Sequence, residues 1–574
     1  MVPSAAVVPL VAVLSLAAAL AGPRAVRGQI PATVSPRVGI PSEPVDEYPR
    51  TRGVEVLHYD LEIEIPEFGP EITGRTAIFY EVTRDGTDSL ALDLVGLTVD
   101  RVEVDGERVP FDHAGGRLLL RLPPVPQGSR REATVWYHGE PQDGLIVGEN
   151  RHGERVVFAD NWATRARSWF PAVDHPSDKA TVEMTVVAAS RMEVVGNGYL
   201  RESVDLGDGR TRTTWAETAE IPTYTIVFGA AEFAIESAGV VDGIEVTHWT
   251  YPADSAAGAA AFARSTEILA FYDSLFGPYP YEKLAHVQST TRYGGMENAS
   301  AIFYGEETIG NALETGAGVE GEARDALTSL VAHETVHQWF GDAVTGSDWH
   351  HLWLSEGFAT YFAAVFFEFH GGARGRGPAE LARRMAAMTE AIFEHAAETG
   401  LPIYAPASGA GDFQHLLNPN NYQKGAWVLH MLRGLVGDVA FFRGMRDYYA
   451  TLRDGTAWTA DFERIMEDAS GRDLGWFFAQ WVGRPGHPVL EVESGPGVGG
   501  TRVIIRQLQD GEPFRLGFDL VLRWDGGERR ERIEMSSREA AHVFDTPAPV
   551  RDLALDPDGW LLHERAATRT GADP

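Results

Sequence analysis

The sequence contains no cysteine. Disulfides, thiolate metal sites, cysteine nucleophiles and cysteine-linked lipid anchors are therefore excluded, and any metal ion must be held by His, Asp or Glu. Positive charge is also scarce, because 49 Lys and Arg residues stand against 82 Asp and Glu residues, a net charge of −33 at pH 7. A field of this sign repels nucleic acid and anionic membrane surfaces, so we expect neither as a partner.

Long apolar runs are absent after the N-terminus. The first residues form an Ala/Val/Leu-rich run to Ala21, with small residues suited to cleavage there or near Gly28. This pattern predicts a secretory signal peptide over 1–28, a linker over 29–47, and export to the periplasm or beyond the cell. No Lys or Arg precedes the apolar core, so retention by an uncleaved N-terminal anchor stays an alternative. No later segment is long enough for a membrane span.

The hydrophobic period changes twice along the 574 residues, a length that predicts two to four domains. Alternation with a period of two predicts an antiparallel β-sandwich or saddle domain over 48–248. Helical spacing predicts a largely helical domain over 249–486, with short strands near 284–304, and alternation returns in a small β-domain over 487–574. The predicted helices are 256–277, 321–340, 356–369, 379–398, 421–436, 438–452 and 472–482.

One predicted helix contains the pattern His-Glu-x-x-His, formed by His333, Glu334 and His337. At 3.6 residues per turn, residues i and i+4 lie on one face, so both imidazoles can reach one metal ion. Glu334 lies about 100° around the helix from His333, which places its carboxylate beside the metal. A zinc-bound water with a pKa near 7 would then have a base within reach.

A third ligand is expected at a set distance from this pattern. One class of zinc sites requires Gly at position 340 and His at position 343, where this chain has Phe340 and Ala343. The other class takes a Glu from the next helix, and Glu356 follows His337 with 18 residues between them. Ser355 is predicted to cap that helix. Two His and one Glu leave the fourth tetrahedral position for water, which is typical of a catalytic zinc site.

Two further histidines, His350 and His351, lie between these elements. Their spacing fits no helix face shared with His333 and His337. We interpret them as residues behind the ligands or on the surface.

Four motifs together resemble the gluzincin aminopeptidases of the aminopeptidase N type. They are "GGMEN" at 294–298, "HETVHQWFGD" at 333–342, "LWLSEGFATYF" at 352–362 and "YQKGAWVLHML" at 422–432. The resemblance covers about 50 to 565 and implies an α+β multidomain fold. This fold has an N-terminal antiparallel β-saddle, a thermolysin-like, largely helical catalytic domain and a small C-terminal β-sandwich. The large helical C-terminal domain of many members is expected to be absent.

The resemblance also implies roles for individual residues. His333, His337 and Glu356 would bind zinc, and Glu334 would be the general base. Tyr422 would donate to the tetrahedral oxyanion, a charge that a phenol O–H can stabilise.

The "GGMEN" motif would bind the substrate. Glu297 would bind the free α-amine of the substrate, while Gly294, Gly295 and Met296 would lie along the peptide backbone. The two glycines permit close approach of a peptide backbone, as along an edge strand.

One position departs from the family pattern. Members usually carry a Gln or Glu nine residues before a Pro as a second contact for the amine, and counting back from Pro171 reaches Trp162. Asp160 or Asn161 could substitute, or the subsite could differ.

The motifs favour a zinc metallo-aminopeptidase that acts on peptides with a free N-terminus. A zinc endopeptidase is an alternative, which Glu297 disfavours because a carboxylate repels the interior carbonyls of a peptide. An inactive or peptide-binding scaffold on the same fold is a second alternative, but it would need a broken site. The sequence carries no signal for an oligomeric state.

Overall fold

The computed structural model describes Tyr48 and residues 53–314, 321–406 and 413–566. The predicted signal peptide and linker therefore lie outside the described residues. Among the helices described, none combines the length and the apolar character that a membrane crossing requires.

The N-terminal part is built from strands. Its strands are β1 (Val54–Glu64), β2 (Ile72–Val82), β3 (Thr87–Asp93), β4 (Thr98–Val104), β5 (Glu107–Arg108), β6 (Phe111–Ala114), β7 (Arg117–Val125), β8 (Arg130–Gly139), β9 (Leu145–Glu149), β10 (Arg155–Ala159), β11 (Lys179–Ala189), β12 (Glu193–Gly196), β13 (Tyr199–Asp205), β14 (Arg210–Pro222) and β15 (Phe228–Ala231).

Three sheets organise these strands. The largest has the order β13-β14-β11-β1-β2-β8-β4-β5, beside a sheet β12-β15-β10-β9 and a sheet β3-β7-β6. In β1, Tyr59, Leu61 and Ile63 are fully buried while the residues between them are more exposed, as a half-buried strand requires. The predicted alternation is thus confirmed in this strand.

The strand pattern is interrupted between β14 and β15. Thr223–Thr225 forms a 3-10 turn before β15 begins. The hydroxyl of Thr225 donates to the carbonyl oxygen of Pro222 at 2.9 Å, a local bond that competes with strand pairing.

The middle part is largely helical. Its helices are α1 (Ser255–Ala261), α2 (Ser265–Phe276), α3 (Glu306–Glu314), α4 (Glu322–His337), α5 (Trp353–His370), α6 (Pro378–Ala386), α7 (Thr389–Thr399), α8 (Gly425–Val436), α9 (Asp438–Leu452), α10 (Thr459–Ser470) and α11 (Gly475–Trp481). The segment predicted as one helix over 379–398 is two helices, because the chain turns between α6 and α7.

Short strands accompany these helices. They are β16 (Ala234–Val241), β17 (Ile244–Thr250), β18 (Lys283–Ser289), β19 (Gly295–Met296), β20 (Ala301–Gly305), β21 (Val344–Gly346) and β22 (Gly455–Ala457). Five of them form a sheet of order β16-β17-β18-β20-β19, in which β17, β18 and β20 are parallel and β19 pairs antiparallel with β20. β19 is therefore an edge strand, and it contacts α4.

The C-terminal part returns to strands, as predicted. They are β23 (Val489–Gly497), β24 (Gly500–Gln507), β25 (Leu516–Trp524), β26 (Gly527–Met535), β27 (Glu539–Phe544), β28 (Val550–Leu555) and β29 (Glu564–Arg565). The indole of Trp560 stacks on the imidazole of His430 in α8 with 4.5 Å between ring centroids. The α+β fold class, with strands at both ends and helices between them, is confirmed.

Candidate metal centre and substrate cleft

Helix α4 presents His333 and His337 on one face, one turn apart. Their ring centroids are 4.7 Å apart, and their Nε2 atoms are 3.1 Å apart. His337 is 1% exposed, so this end of the helix lies inside the protein. The i, i+4 spacing therefore brings both nitrogens to one point.

Helix α5 brings Glu356 to the same point. Its Oε2 lies 3.3 Å from His333 Nε2 and 3.4 Å from His337 Nε2. The predicted cap at Ser355 is wrong, because α5 begins earlier, at Trp353. Ser355 instead places its Oγ 2.9 Å from His337 Nδ1, on the side of the ring away from Glu356.

These three donor atoms fit a zinc ion. Zinc binds His and carboxylate ligands at about 2.0–2.2 Å, so tetrahedral geometry places neighbouring donors about 3.3–3.5 Å apart. The three separations are 3.1, 3.3 and 3.4 Å. Three protein ligands leave the fourth position open.

Electrostatics favour a cation among these groups. Burial would raise the pKa of Glu356, but His337 and His333 lower it to about 2, so the carboxylate stays ionised. Burial would lower the pKa of His337, but Glu356 and Glu297 raise it to about 10. The carboxylates around His337 thus attract positive charge to this point, as a proton or as a metal ion.

Glu334 projects beside these ligands and against β19. A Cβ added to Gly295 would lie only 2.3 Å from Glu334 Oε1, so a side chain at 295 would displace the carboxylate. Burial, partly offset by His337, raises the pKa of Glu334 well above its usual range. A carboxyl group with such a pKa can take up a proton at neutral pH.

Glu297 follows directly after β19 and is 6% exposed. One oxygen of Glu297, one of Glu334 and a nitrogen of His337 all lie within 4.8 Å of one another. Burial raises the pKa of Glu297 above its usual range, with Glu356 adding to the effect and His337 opposing it. A buried carboxylate at this place is stabilised by a cationic partner.

Tyr422 lies in a π-helical turn, Asn420–Lys424, directly before α8. Its ring lies parallel to that of His333, with 6.1 Å between centroids. Burial and the neighbouring Glu356 raise the pKa of Tyr422 well above its usual range, so the phenol keeps its proton. A neutral phenol can donate a hydrogen bond into the cleft.

All of these residues line one cleft of about 560 Å³. The sequence-predicted residues in it are Gly294, Gly295, Met296, Glu297, His333, Glu334, His337, Glu356 and Tyr422. The structure thus brings every predicted site residue together. The cleft also includes residues that the sequence reasoning missed: Tyr293, Ala326, Ser329, Leu330 and Leu417.

Two family models match the chain. The model described as "Peptidase M1 N-terminal domain" matches residues 55–225, and the model described as "Peptidase family M1 domain" matches residues 260–481. The chain belongs to the peptidase M1 family.

Relatives of this M1 chain include aminopeptidases. "Probable aminopeptidase 2" of Sulfurisphaera tokodaii is 26% identical over 75% of this chain and 53% of its own length. "Leucyl aminopeptidase" of Saccharolobus solfataricus is 28% identical over 73% of this chain and 52% of its own length. The chain thus spans about half the length of the curated relatives it matches.

A solved structure has a similar fold. The M1 zinc metallopeptidase from Deinococcus radiodurans superposes with a TM-score of 0.63 at 24% identity, covering 75% of this chain and 94% of that one. This similarity concerns the fold.

The two extra histidines of the M1 chain are not among the three ligands. His350 and His351 are buried, so the surface interpretation is wrong. His350 Nδ1 lies 2.6 Å from Asp348 Oδ1, and His351 Nδ1 lies 2.8 Å from Thr459 Oγ1. Their hydrogen bonds hold the segment that leads into α5.

Trp162 is the position that departs from the family pattern. Trp162 itself lines the cleft, whereas Asp160 and Asn161 are absent from its described lining. The side-chain amide of Asn161 donates to the carbonyl oxygen of Ile226 at 2.6 Å and accepts from Trp169 Nε1 at 2.7 Å. Neither neighbour lies in the described lining of the cleft, where the family pattern would place a polar contact.

Proposed function

We propose that this M1 chain is a zinc metallo-aminopeptidase that releases N-terminal residues from peptides. The observation that supports this proposal is the position of Glu297, a buried carboxylate with one oxygen within 4.8 Å of an oxygen of Glu334 and of a ring nitrogen of His337. A peptide whose α-amine pairs with Glu297 has room for little more than one residue before the metal. Cleavage therefore follows the first residue.

His333, His337 and Glu356 would hold zinc, which when bound would polarise the scissile carbonyl and acidify a water molecule. Their donor separations of 3.1–3.4 Å support this assignment. The Nδ1 of His337 lies 3.2 Å from the carbonyl oxygen of Phe340, to which its N–H donates. That bond orients the ring so that Nε2 faces His333 and can bind a metal ion once its proton is displaced.

Glu334 acts as general base. Its carboxylate takes a proton from the attacking water, and the raised pKa of the buried carboxyl lets it keep that proton until the leaving amine forms. The proton then passes from Glu334 Oε to the nitrogen of the departing peptide.

Tyr422 stabilises the developing charge. Its O–H donates to the oxygen of the scissile carbonyl, which becomes negative as water adds. The parallel packing of its ring against His333 supports a fixed position beside the metal.

The substrate lies along the edge strand β19. Because β19 is paired with β20 on one side only, its other side can pair with an extended peptide. The absence of side chains at Gly294 and Gly295 permits close approach. Met296, 3% exposed, supports this strand from the core side.

We also propose export of the enzyme with removal of 1–28 as a signal peptide. The sequence pattern of that segment supports this assignment. The domain bounds proposed for the remainder are 48–248, 249–486 and 487–574, and they rest on the two changes of hydrophobic period in the sequence.

The decisive experiment compares a free peptide with its N-acetylated form. The zinc-loaded protein should release the first residue of the free peptide and leave the acetylated one intact. A chelator should abolish turnover and added zinc should restore it. Equal cleavage of both peptides, or cleavage at interior bonds, would overturn the aminopeptidase assignment.

A further inference from the structure

We propose that Trp162 determines substrate specificity, so that the enzyme selects N-terminal residues with uncharged, apolar side chains. This inference rests on the proposed function and names the substrate class of that same cleft. It is carried by the contacts of Trp162, by the pairing of its polar neighbours and by the charges along the cleft.

Trp162 forms a fixed part of the cleft wall. Its ring makes a T-shaped contact with Tyr293, with 6.1 Å between centroids, and a second with Trp349 at 5.4 Å. Only 3% of Trp162 is exposed, so it is held on nearly every side. A rigid aromatic surface of this kind contacts substrate without losing side-chain entropy.

Tyr293 completes this wall and is itself held in place. Gln414 Nε2 donates to its hydroxyl at 3.0 Å, and Arg165 Nη2 lies 3.4 Å from the same oxygen. Tyr293 directly precedes the Gly294–Gly295 pair, which is followed by Met296 and Glu297. The wall therefore lies at the end of the cleft where the substrate's amine and first side chain bind.

The polar groups behind this wall are already paired. Asp160 lies 3.2 Å from Arg165 Nη2 and 3.4 Å from Arg292 Nε, and its Oδ1 accepts from Thr291 at 3.2 Å. The amide of Asn161 is bound to the backbone and to Trp169. Both residues have partners within the protein, and neither lies in the described lining of the cleft.

The described lining of the cleft contains no Lys or Arg. An acidic N-terminal side chain would thus meet no ammonium or guanidinium group there, while the carboxylates of Glu297, Glu334 and Glu356 repel it. A basic side chain would meet only carboxylates that already have a role: Glu297 binds the α-amine, Glu334 transfers the proton and Glu356 would bind the metal. An acidic side chain would lose hydration against Trp162 without gaining a partner. A basic side chain would gain only a cation–π contact with the indole, which does not replace its lost hydration, whereas an apolar side chain gains from burial.

The same arrangement makes Glu297 the main contact of the amine. Where the family pattern has a second polar group, this chain has an indole. The substrate's ammonium therefore depends on one carboxylate, and the space beside it favours apolar atoms.

The test measures kcat/KM of the zinc-loaded enzyme on a panel of aminoacyl fluorophores with Leu, Met, Phe, Glu, Asp, Lys and Arg. We expect the apolar members to exceed every charged member by about tenfold or more. Binding of free L-leucine, L-glutamate and L-lysine, measured by calorimetry, should follow the same order.

Two variants assign the effect to Trp162. Trp162→Gln places an amide in the wall and should reduce the ratio of kcat/KM for the Leu substrate to kcat/KM for the Lys substrate by about tenfold. Trp162→Phe should preserve this ratio. Thermal unfolding checks the fold of both, and the wild-type panel decides the preference even if Trp162→Gln does not fold.

The outcomes separate the two proposals. A preference of the wild type for Lys, Arg, Glu or Asp, or an unchanged ratio in folded Trp162→Gln, would overturn the role of Trp162 and leave the aminopeptidase function intact. No release of any N-terminal residue from the panel or from free peptides would overturn the proposed function itself.

Discussion

The side-chain amide of Gln338 donates to the backbone carbonyl oxygen of Glu297 across 2.7 Å. Gln338 is the first residue after α4, and it is fully buried. Its Oε1 accepts from Ser300 N at 2.8 Å and from the Tyr279 hydroxyl at 3.0 Å. One side chain therefore joins the helix that carries the metal ligands to the segment that carries the amine-binding carboxylate.

Replacing Gln338 by Leu should loosen this connection. The change keeps the volume and leaves buried donors and acceptors unpaired, at a cost of about 1–3 kcal/mol for each group. We expect a lower melting temperature, unchanged zinc content, and weaker discrimination between free and acetylated peptides. Gln127→Ala at the exposed 127 position is the control, and a Gln338→Leu enzyme with wild-type discrimination would contradict the link.

Glu334→Gln should keep zinc and fold but lose nearly all turnover. The ligand set is intact, while the amide cannot accept the proton of the attacking water. Metal analysis and rate measurement on the same sample test this expectation. The control is Glu322→Gln at the exposed start of α4. Full metal content together with a wild-type rate would refute the role of Glu334.

Tyr422→Phe should lower kcat by about 10²–10³ with little change in KM, because the lost O–H acts on charge that develops only in the transition state. Steady-state kinetics at matched zinc content measure both constants. Tyr199→Phe, at a tyrosine that is 44% exposed, serves as the control. An effect confined to KM would instead assign Tyr422 to ground-state binding.

Glu297→Ala should reduce kcat/KM for free-amine substrates by about 10²–10³. Removing one partner of a buried charge pair costs about 3–5 kcal/mol, although contact of the amine with water lessens the loss. The variant should also discriminate less between free and acetylated peptides. Both substrates are assayed on both proteins, with Glu193→Ala on the exposed side of β12 as control. If Glu297→Ala still cleaved free peptides in strong preference to acetylated ones, a residue other than Glu297 would recognise the amine.

Zinc affinity should rise with pH. The neighbouring carboxylates raise the pKa of His337 to about 10 in spite of its burial, so the metal-free protein carries a proton there at neutral pH. Zinc must displace that proton, and its apparent association constant should increase about tenfold for each pH unit between about 6 and 8. Competition with a chelator of known affinity at fixed ionic strength measures the slope. A pH-independent constant would show that His337 is unprotonated before zinc binds.

The spacing of a few residues was enough to predict the chemistry of the centre. His333 and His337 share a helix face because an α-helix repeats every 3.6 residues, and that relation does not depend on the rest of the chain. Glu356 was predicted from its distance to His337 and from the motif around it. The structure brings these three donor atoms within 3.4 Å of one another.

Other features depend on packing between distant segments. Ser355 looked like a helix cap, because local sequence does not show that α5 starts at Trp353. The hydrogen bond from Gln338 to Glu297 joins residues 41 positions apart, and no pattern within either segment predicts it.

The sequence by itself determined the absence of thiol chemistry, the order of β-rich and helical parts, and the residue types at the metal centre. These properties follow from composition and from periodicities that act within one element. Only the tertiary structure decided that Trp162, from the N-terminal part, lines the cleft beside Tyr293 while Asp160 and Asn161 turn to other partners. The reason is physical: side chains on separate elements meet through burial and pairing across the whole fold, which no local period encodes.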